Sequence, residues 1–228
     1  MKKLFFFLGL IGLVGTVAGQ SQSQSTIYDS SFKALYKATA LHPGYRNRAG
    51  RIHDSVVRRW DSDIAIFIEG GSSKERKQIV GKLRNTIDLI TPSLNNKIKI
   101  SFTDNKSTAN YLIVLTVLGR SGWYLNWDNL NNIYSCRMLL NTKAIFNSEQ
   151  RAEIASHYFL KSLGDFVLSE KEREALDYND SSVAANMNSW RKDITDIDLR
   201  ILRLHYADDI KPGMSAKDID LYFSRHGY

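Results

Sequence analysis

The apolar residues of this chain change period along its length, and those changes restrict the folds open to it. Ile64, Ile66 and Ile68 alternate with Ala65, Phe67 and Glu69, which predicts a strand with one strongly apolar face. Gly70-Gly71 ends the run. Ser72 or Ser73 can cap the next segment, where Ile79, Val80, Leu83, Ile87 and Ile90 fall at helical spacing until Pro92. Alternation returns at Ile98, Ile100 and Phe102. Tyr111 to Leu118 is a continuous apolar run of strand length, the pattern of a central strand covered on both faces. Cys136 to Ala144 predicts one more strand. Gly119 to Ser135 reads as a long irregular loop carrying Trp123, Tyr124 and Trp127 among Gly and Asn. Its aromatics either form a binding ledge or lock the loop onto the core.

The flanks of this region are helical. Ile27 to Ala40 has apolar residues at Phe32, Leu35, Tyr36 and Ala40, and Pro43-Gly44 breaks the pattern. Asn147, with Gln150 placed to reach back, predicts a helix to Leu163 that stops at Gly164. Thr195 opens another through Ile197, Ile201, Leu202 and Leu204. Pro212-Gly213 ends the connection, and Ser215 caps a last helix through Ile219, Leu221, Tyr222 and Phe223. A strand, a helix, several strands and then helices predict an α+β fold around a mixed sheet.

Lys2 and Lys3, the apolar run Leu4 to Val14 and the small residues Val17-Ala18-Gly19 form a secretory-signal pattern with cleavage before Gln20. That predicts an exported, periplasmic or extracellular protein: signal peptide 1–19, a flexible Gln/Ser lead-in 20–26, and one domain over 27–228. No later segment is apolar enough to span a bilayer, so no transmembrane segment is expected after cleavage. Cys136 is the sole cysteine, which excludes an internal disulfide and predicts a buried thiol. Residues 20–100 carry 14 Lys and Arg against 7 Asp and Glu, whereas residues 101–228 carry 15 against 17. The basic half, with Arg46, Arg48, Arg51, Arg58, Arg59, Lys74, Arg76 and Lys77, suits a soluble surface or an acidic partner. Export and the absence of a nucleic-acid motif argue against nucleic acid.

His157-Tyr158-Phe159-Leu160-Lys161-Ser162-Leu163-Gly164 carries the sharpest chemical signal. It resembles the HExxHxLG zinc helix of zincin metallopeptidases, in which two His four apart face one zinc ion and the Glu activates its water. The resemblance extends over roughly Arg59 to Tyr206. Arg59-Trp60 followed by Asp63-Ile64-Ala65-Ile66 resembles the opening strand of matrixin-like metzincins, and Ala109 to Val114 a later strand. Ser182 to Asn188 resembles the Met-turn, with Met187 as its methionine. Thr195-Asp196-Ile197-Asp198 through Leu204-His205-Tyr206 resembles the closing helix. The whole is also similar to an uncharacterised family of exported bacterial zincin-like proteins. The resemblance implies a zincin-like fold: a mixed twisted sheet, a long active-site-type helix and C-terminal helices.

The departures decide the chemistry. His157 matches the first ligand. Tyr158 replaces the Glu, and a phenol is a poor water-activating base at neutral pH. Lys161 replaces the second ligand, and an ammonium has no lone pair. Val167 stands where metzincins place a third ligand. A catalytic zinc site normally takes three protein ligands, so no cofactor is expected and the domain reads as catalytically inactive, binding a peptide or envelope partner along the old cleft. There the Lys161 ammonium beside the Tyr158 hydroxyl would receive a carboxylate. A metal-dependent hydrolase with an altered zinc ligand set, drawn from His157, Glu153, Asp165 and His205, is the alternative. A purely structural or interaction domain is the third reading. On it, Glu153, His157 and Lys161 are simply the solvated polar stripe of a helix whose other face bears Ala152, Ala155, Phe159 and Leu163. His42, His53 and His226 lack paired spacing and read as surface or capping residues.

Overall fold

The computed structural model describes residues 29–41, 55–143, 147–167 and 193–226. The signal pattern, the lead-in, His42, Pro43, His53 and the Met-turn with Met187 lie outside them.

The chain is a mixed α/β protein with a largely parallel sheet. Five helices are described: α1 (Ser30–Ala40), α2 (Ser73–Ile90), α3 (Ser148–Ser162), α4 (Asp196–His205) and α5 (Ala216–Arg225). The strands are β1 (Arg59–Trp60), β2 (Ile64–Glu69), β3 (Ile100–Phe102), β4 (Tyr111–Thr116), β5 (Gly122–Trp127) and β6 (Asn132–Asn141). The sheet runs β1-β6-β4-β2-β3 with all neighbours parallel, and β5 pairs antiparallel with β6. Among the described residues no helix is long and apolar enough to cross a membrane.

The helix starts follow the capping residues read from sequence. Ser72 accepts from the Glu75 amide, so it is the cap of α2 and Ser73 is the first helical residue. Asn147 with Gln150, Thr195 with Asp198, and Ser215 with Asp218 each form a reciprocal capping box. Each box satisfies two backbone donors that a helix start leaves open.

Three sequence expectations change. The Gly119–Ser135 stretch is not an irregular loop: it contains β5, which forms a hairpin with β6 through a turn at Asp128–Asn131, where Asn131 adopts φ +67°. Trp123 and Leu125 lie opposite Met138 and Cys136 on the covered face of the sheet, while Tyr124 faces outward. The aromatic side chains therefore divide. Trp123 packs on Tyr158 of α3 with ring centroids 5.0 Å apart, Trp127 lies under the Arg58 guanidinium at 4.5 Å, and Tyr124 stays exposed. Secondly, β4 ends at Thr116, and Val117 and Leu118 are exposed. Tyr111, Ile113 and Leu115 are buried while Leu112, Val114 and Thr116 are half-buried, so this strand has one fully covered face rather than two. Thirdly, the segment resembling a single opening strand is divided: Arg59–Trp60 pairs with β6, and Ile64 onward lies between β3 and β4.

The covered face packs on α3. Tyr111 meets Phe159 edge-on at 5.3 Å and stacks with Trp60 at 6.1 Å. Helix α2 lies beside α3, joined by Thr86 Oγ1 to Ser156 Oγ at 2.6 Å, and by the ion pairs Arg151–Glu75 and Lys82–Glu153, both at 2.6 Å.

Candidate functional site

The positions that resemble zincin residues lie along α3 and the turn after it. They are not a solvated stripe: His157 and Lys161 are each only 3% exposed. The physical reason lies downstream. Asp193, Ile194 and the start of α4 return over this side of α3, and His157 lines a small pocket of about 200 Å³ with Thr86, Leu89, Asp193 and Ile194.

Lys161 is held in an apolar setting that pushes its ammonium pKa down to about 8, and the Asp198 carboxylate acts in the opposite direction. Asp198 is itself fully buried, and it accepts from the Thr195 amide at 2.8 Å and the Thr195 hydroxyl at 2.9 Å. The carboxylate expected from an incoming ligand thus has an internal counterpart. The sequence carries one signal for Asp198, a carboxylate at a helical position next to the apolar face.

Tyr158 points to β5 and Trp123, and burial raises its phenol pKa, so it remains protonated at neutral pH. Gly164 follows the helix as the resemblance implies, but it is not the residue with positive φ. Asp165 takes φ +52°, and the Phe166 amide reaches back to the Lys161 carbonyl at 2.8 Å. Gly164 is required for close approach instead: a Cβ there would lie 2.4 Å from the Phe166 ring and 2.7 Å from His205 Nε2.

The altered ligand set is dispersed. Glu153 is ion-paired with Lys82. His205 is fully buried, and both ring nitrogens are engaged: Nδ1 with the Tyr36 hydroxyl at 3.1 Å and Nε2 with the Arg58 carbonyl at 2.9 Å. A carbonyl only accepts, so the proton sits on Nε2 and Tyr36 donates to Nδ1. Burial pushes the His205 pKa down to about 3. Val167, at the third-ligand position, donates its amide to the Thr39 carbonyl. Among the described residues no group of three or more His, Cys, Asp and Glu is placed to hold a metal ion. The donor types at the zincin positions do not fit zinc either, being one imidazole, one ammonium and an aliphatic side chain.

Cys136 is buried, and burial pushes its thiol up to about 12, which makes it inert as a nucleophile. His226 is an exposed helix-end residue near Asp209, as its unpaired spacing predicted.

A larger concavity lies elsewhere. A groove of about 790 Å³ runs between α2 and the ends of β2 and β3, and the spacing of chemical motifs gave no pointer to it. The signal that was available is Gly81, a glycine inside the helical pattern of α2.

No protein-family model matches the chain, and no curated protein matches it.

Proposed function

We propose that the chain is an exported zincin-like domain without peptidase chemistry, which binds a peptide or envelope partner along the outer edge of β5 beside α3. The observation that carries this reading is the buried Lys161, countered by Asp198, at the position of the second metal ligand. A resident ammonium repels a divalent cation, and the protonated Tyr158 supplies no base where the resemblance requires a carboxylate. The order of elements supports the ancestry: a mixed sheet, a histidine-bearing helix, a turn after Gly164 and closing helices. The basic start and apolar run at Lys2–Val14 support export.

For binding, the support is the outer edge of β5. Among the described residues β5 pairs with β6 alone, leaving a strand edge beside α3 to which an extended segment can add. Trp123 and Tyr158 form the apolar base of that edge.

The test is transition-metal content of mature protein purified without chelator, beside His157→Ala, with a peptide-library screen mapped by amide exchange. Sub-stoichiometric metal, and slowed exchange confined to Gly122–Trp127 with a bound peptide, are expected. Stoichiometric metal that disappears in His157→Ala would restore the hydrolase reading.

A further inference from the structure

The sheet has a step beside α2. Strand β3 pairs with β2 only from Ile64 to Ile66, yet β2 continues to Glu69. The Ile64 amide donates to the Lys99 carbonyl, and the Thr103 amide donates to the Ile66 carbonyl. Backbone groups alternate sides along a strand, so the Ile68 amide and carbonyl point to that same side, where β3 has already ended. The groove of about 790 Å³ lies at this step. One wall is α2 and the other is the turn from Thr103 to Lys106. Its volume falls within the range of ligand-binding clefts.

The chemistry of the groove is specific. Ile68, Phe102 and Val80 give an apolar, half-buried lining. Lys77 and Arg84 stand exposed on the α2 rim, and Arg84 lies 5.8 Å from the Phe102 ring centre. Glu69 at the far end is already bound to Lys106 at 2.6 Å, which leaves Asp104 as the opposing acid. Gly81 lines the groove in mid-helix, and a Cβ built on it meets no atom within 4 Å. A glycine there forgoes helix stability and keeps the groove open.

We propose that this groove is a docking site for an extended, acidic polypeptide segment, which adds to the sheet at Ile68, seats an apolar side chain against Phe102 and Val80, and sets carboxylates at Lys77 and Arg84. Strand addition supplies backbone hydrogen bonds, and the groove on either side selects alternate side chains. The site is separate from the β5 edge and does not depend on the zincin reading.

The test uses fluorescein-labelled Glu-Val-Glu-Val-Glu-Val and its Lys-Val counterpart, with fluorescence anisotropy and amide exchange on the full mature chain. The acidic peptide is expected to bind and the basic one not, with slowed exchange at Ile68. Lys77→Glu with Arg84→Glu, both at exposed positions, should weaken binding by tenfold or more. Gly81→Leu, a better helix former, should keep the fold and abolish binding by filling the groove. Equal binding of both peptides, unchanged exchange at Ile68, or full binding by Gly81→Leu would each overturn the proposal. Competition by polyphosphate without any change at Ile68 would identify a plain anion-attracting surface and would overturn it equally.

Discussion

Lys161 and His205 show opposite uses of burial at the level of single side chains. Both have pKa values lowered by desolvation, and in both the folded state binds fewer protons than the unfolded chain within a definite window. For His205 the window runs from the ordinary 6.5 down to about 3. Stability from its neutral form is fully present above pH 6.5 and is lost as pH falls, at up to about 1.4 kcal/mol per pH unit. Urea midpoints between pH 7.5 and 4.5 should therefore fall more steeply in the wild type than in His205→Gln; parallel limbs would place the acid sensitivity elsewhere. For Lys161 the window runs from about 8 up to 10.5. Below pH 8 its buried charge costs stability, and that cost disappears as pH climbs to 10.5, a change of order 3 kcal/mol. The stability difference between Lys161→Met and the wild type should shift in favour of the wild type by that order from pH 7.5 to 10. A difference that stays flat would mean that Lys161 titrates normally. The burial of this lysine was not legible in the sequence. His157 and Lys161 look like part of a solvated stripe because Asp193, Ile194 and Asp198, which lie against them, come more than thirty residues later in the chain.

At the scale of helices and strands the sequence was most legible where local chemistry decides the outcome. Asn147, Thr195 and Ser215 cap the helices they were expected to cap, because a capping box is complete within four residues. Strand β2 follows from its own alternation. Strand β5 is not legible in the sequence because its alternation, Trp123-Tyr124-Leu125-Asn126-Trp127, is aromatic on both faces and flanked by Gly and Asn, so that pairing with β6 rather than local pattern makes it a strand. Of the candidate site the sequence shows only where α3 runs; the positive φ at Asp165 and the carboxylate of Asp198 acting on Lys161 are not legible in it. Helix α2 permits a clean test of the cost of keeping a groove open. Gly81→Ala adds a methyl into empty space within a regular helix, so thermal unfolding should show stabilisation of about 1 kcal/mol. Destabilisation would mean that the groove closes on this glycine in solution.

At the scale of the whole molecule the stretch 56–60 ties the sheet to the end of α3 and to the C-terminal helices. The Arg59 guanidinium donates to the His205 carbonyl at 2.9 Å and the Ala207 carbonyl at 3.2 Å, and Trp60 Nε1 donates to the Ser162 carbonyl at 3.1 Å. Val57 exchanges backbone bonds with Gly213 and Met214. Arg59→Met would leave two carbonyls at the end of α4 without their charged donor, at a cost of about 2–4 kcal/mol. Amide exchange should then accelerate in α4 and β6 together, since the strap belongs to both; acceleration in α4 alone would show that the C-terminal helices open independently. The same strap also sets an order of events. β1 waits for Asn132 and Ile133, and the Arg58 carbonyl waits for a histidine 147 residues further along. A chain delivered from its N-terminus therefore carries this stretch without its partners until nearly all of the rest has arrived. Folding that depends on such distant pairing is slow, so the newly delivered chain stays open to proteases and chaperones for longer than its size alone would suggest.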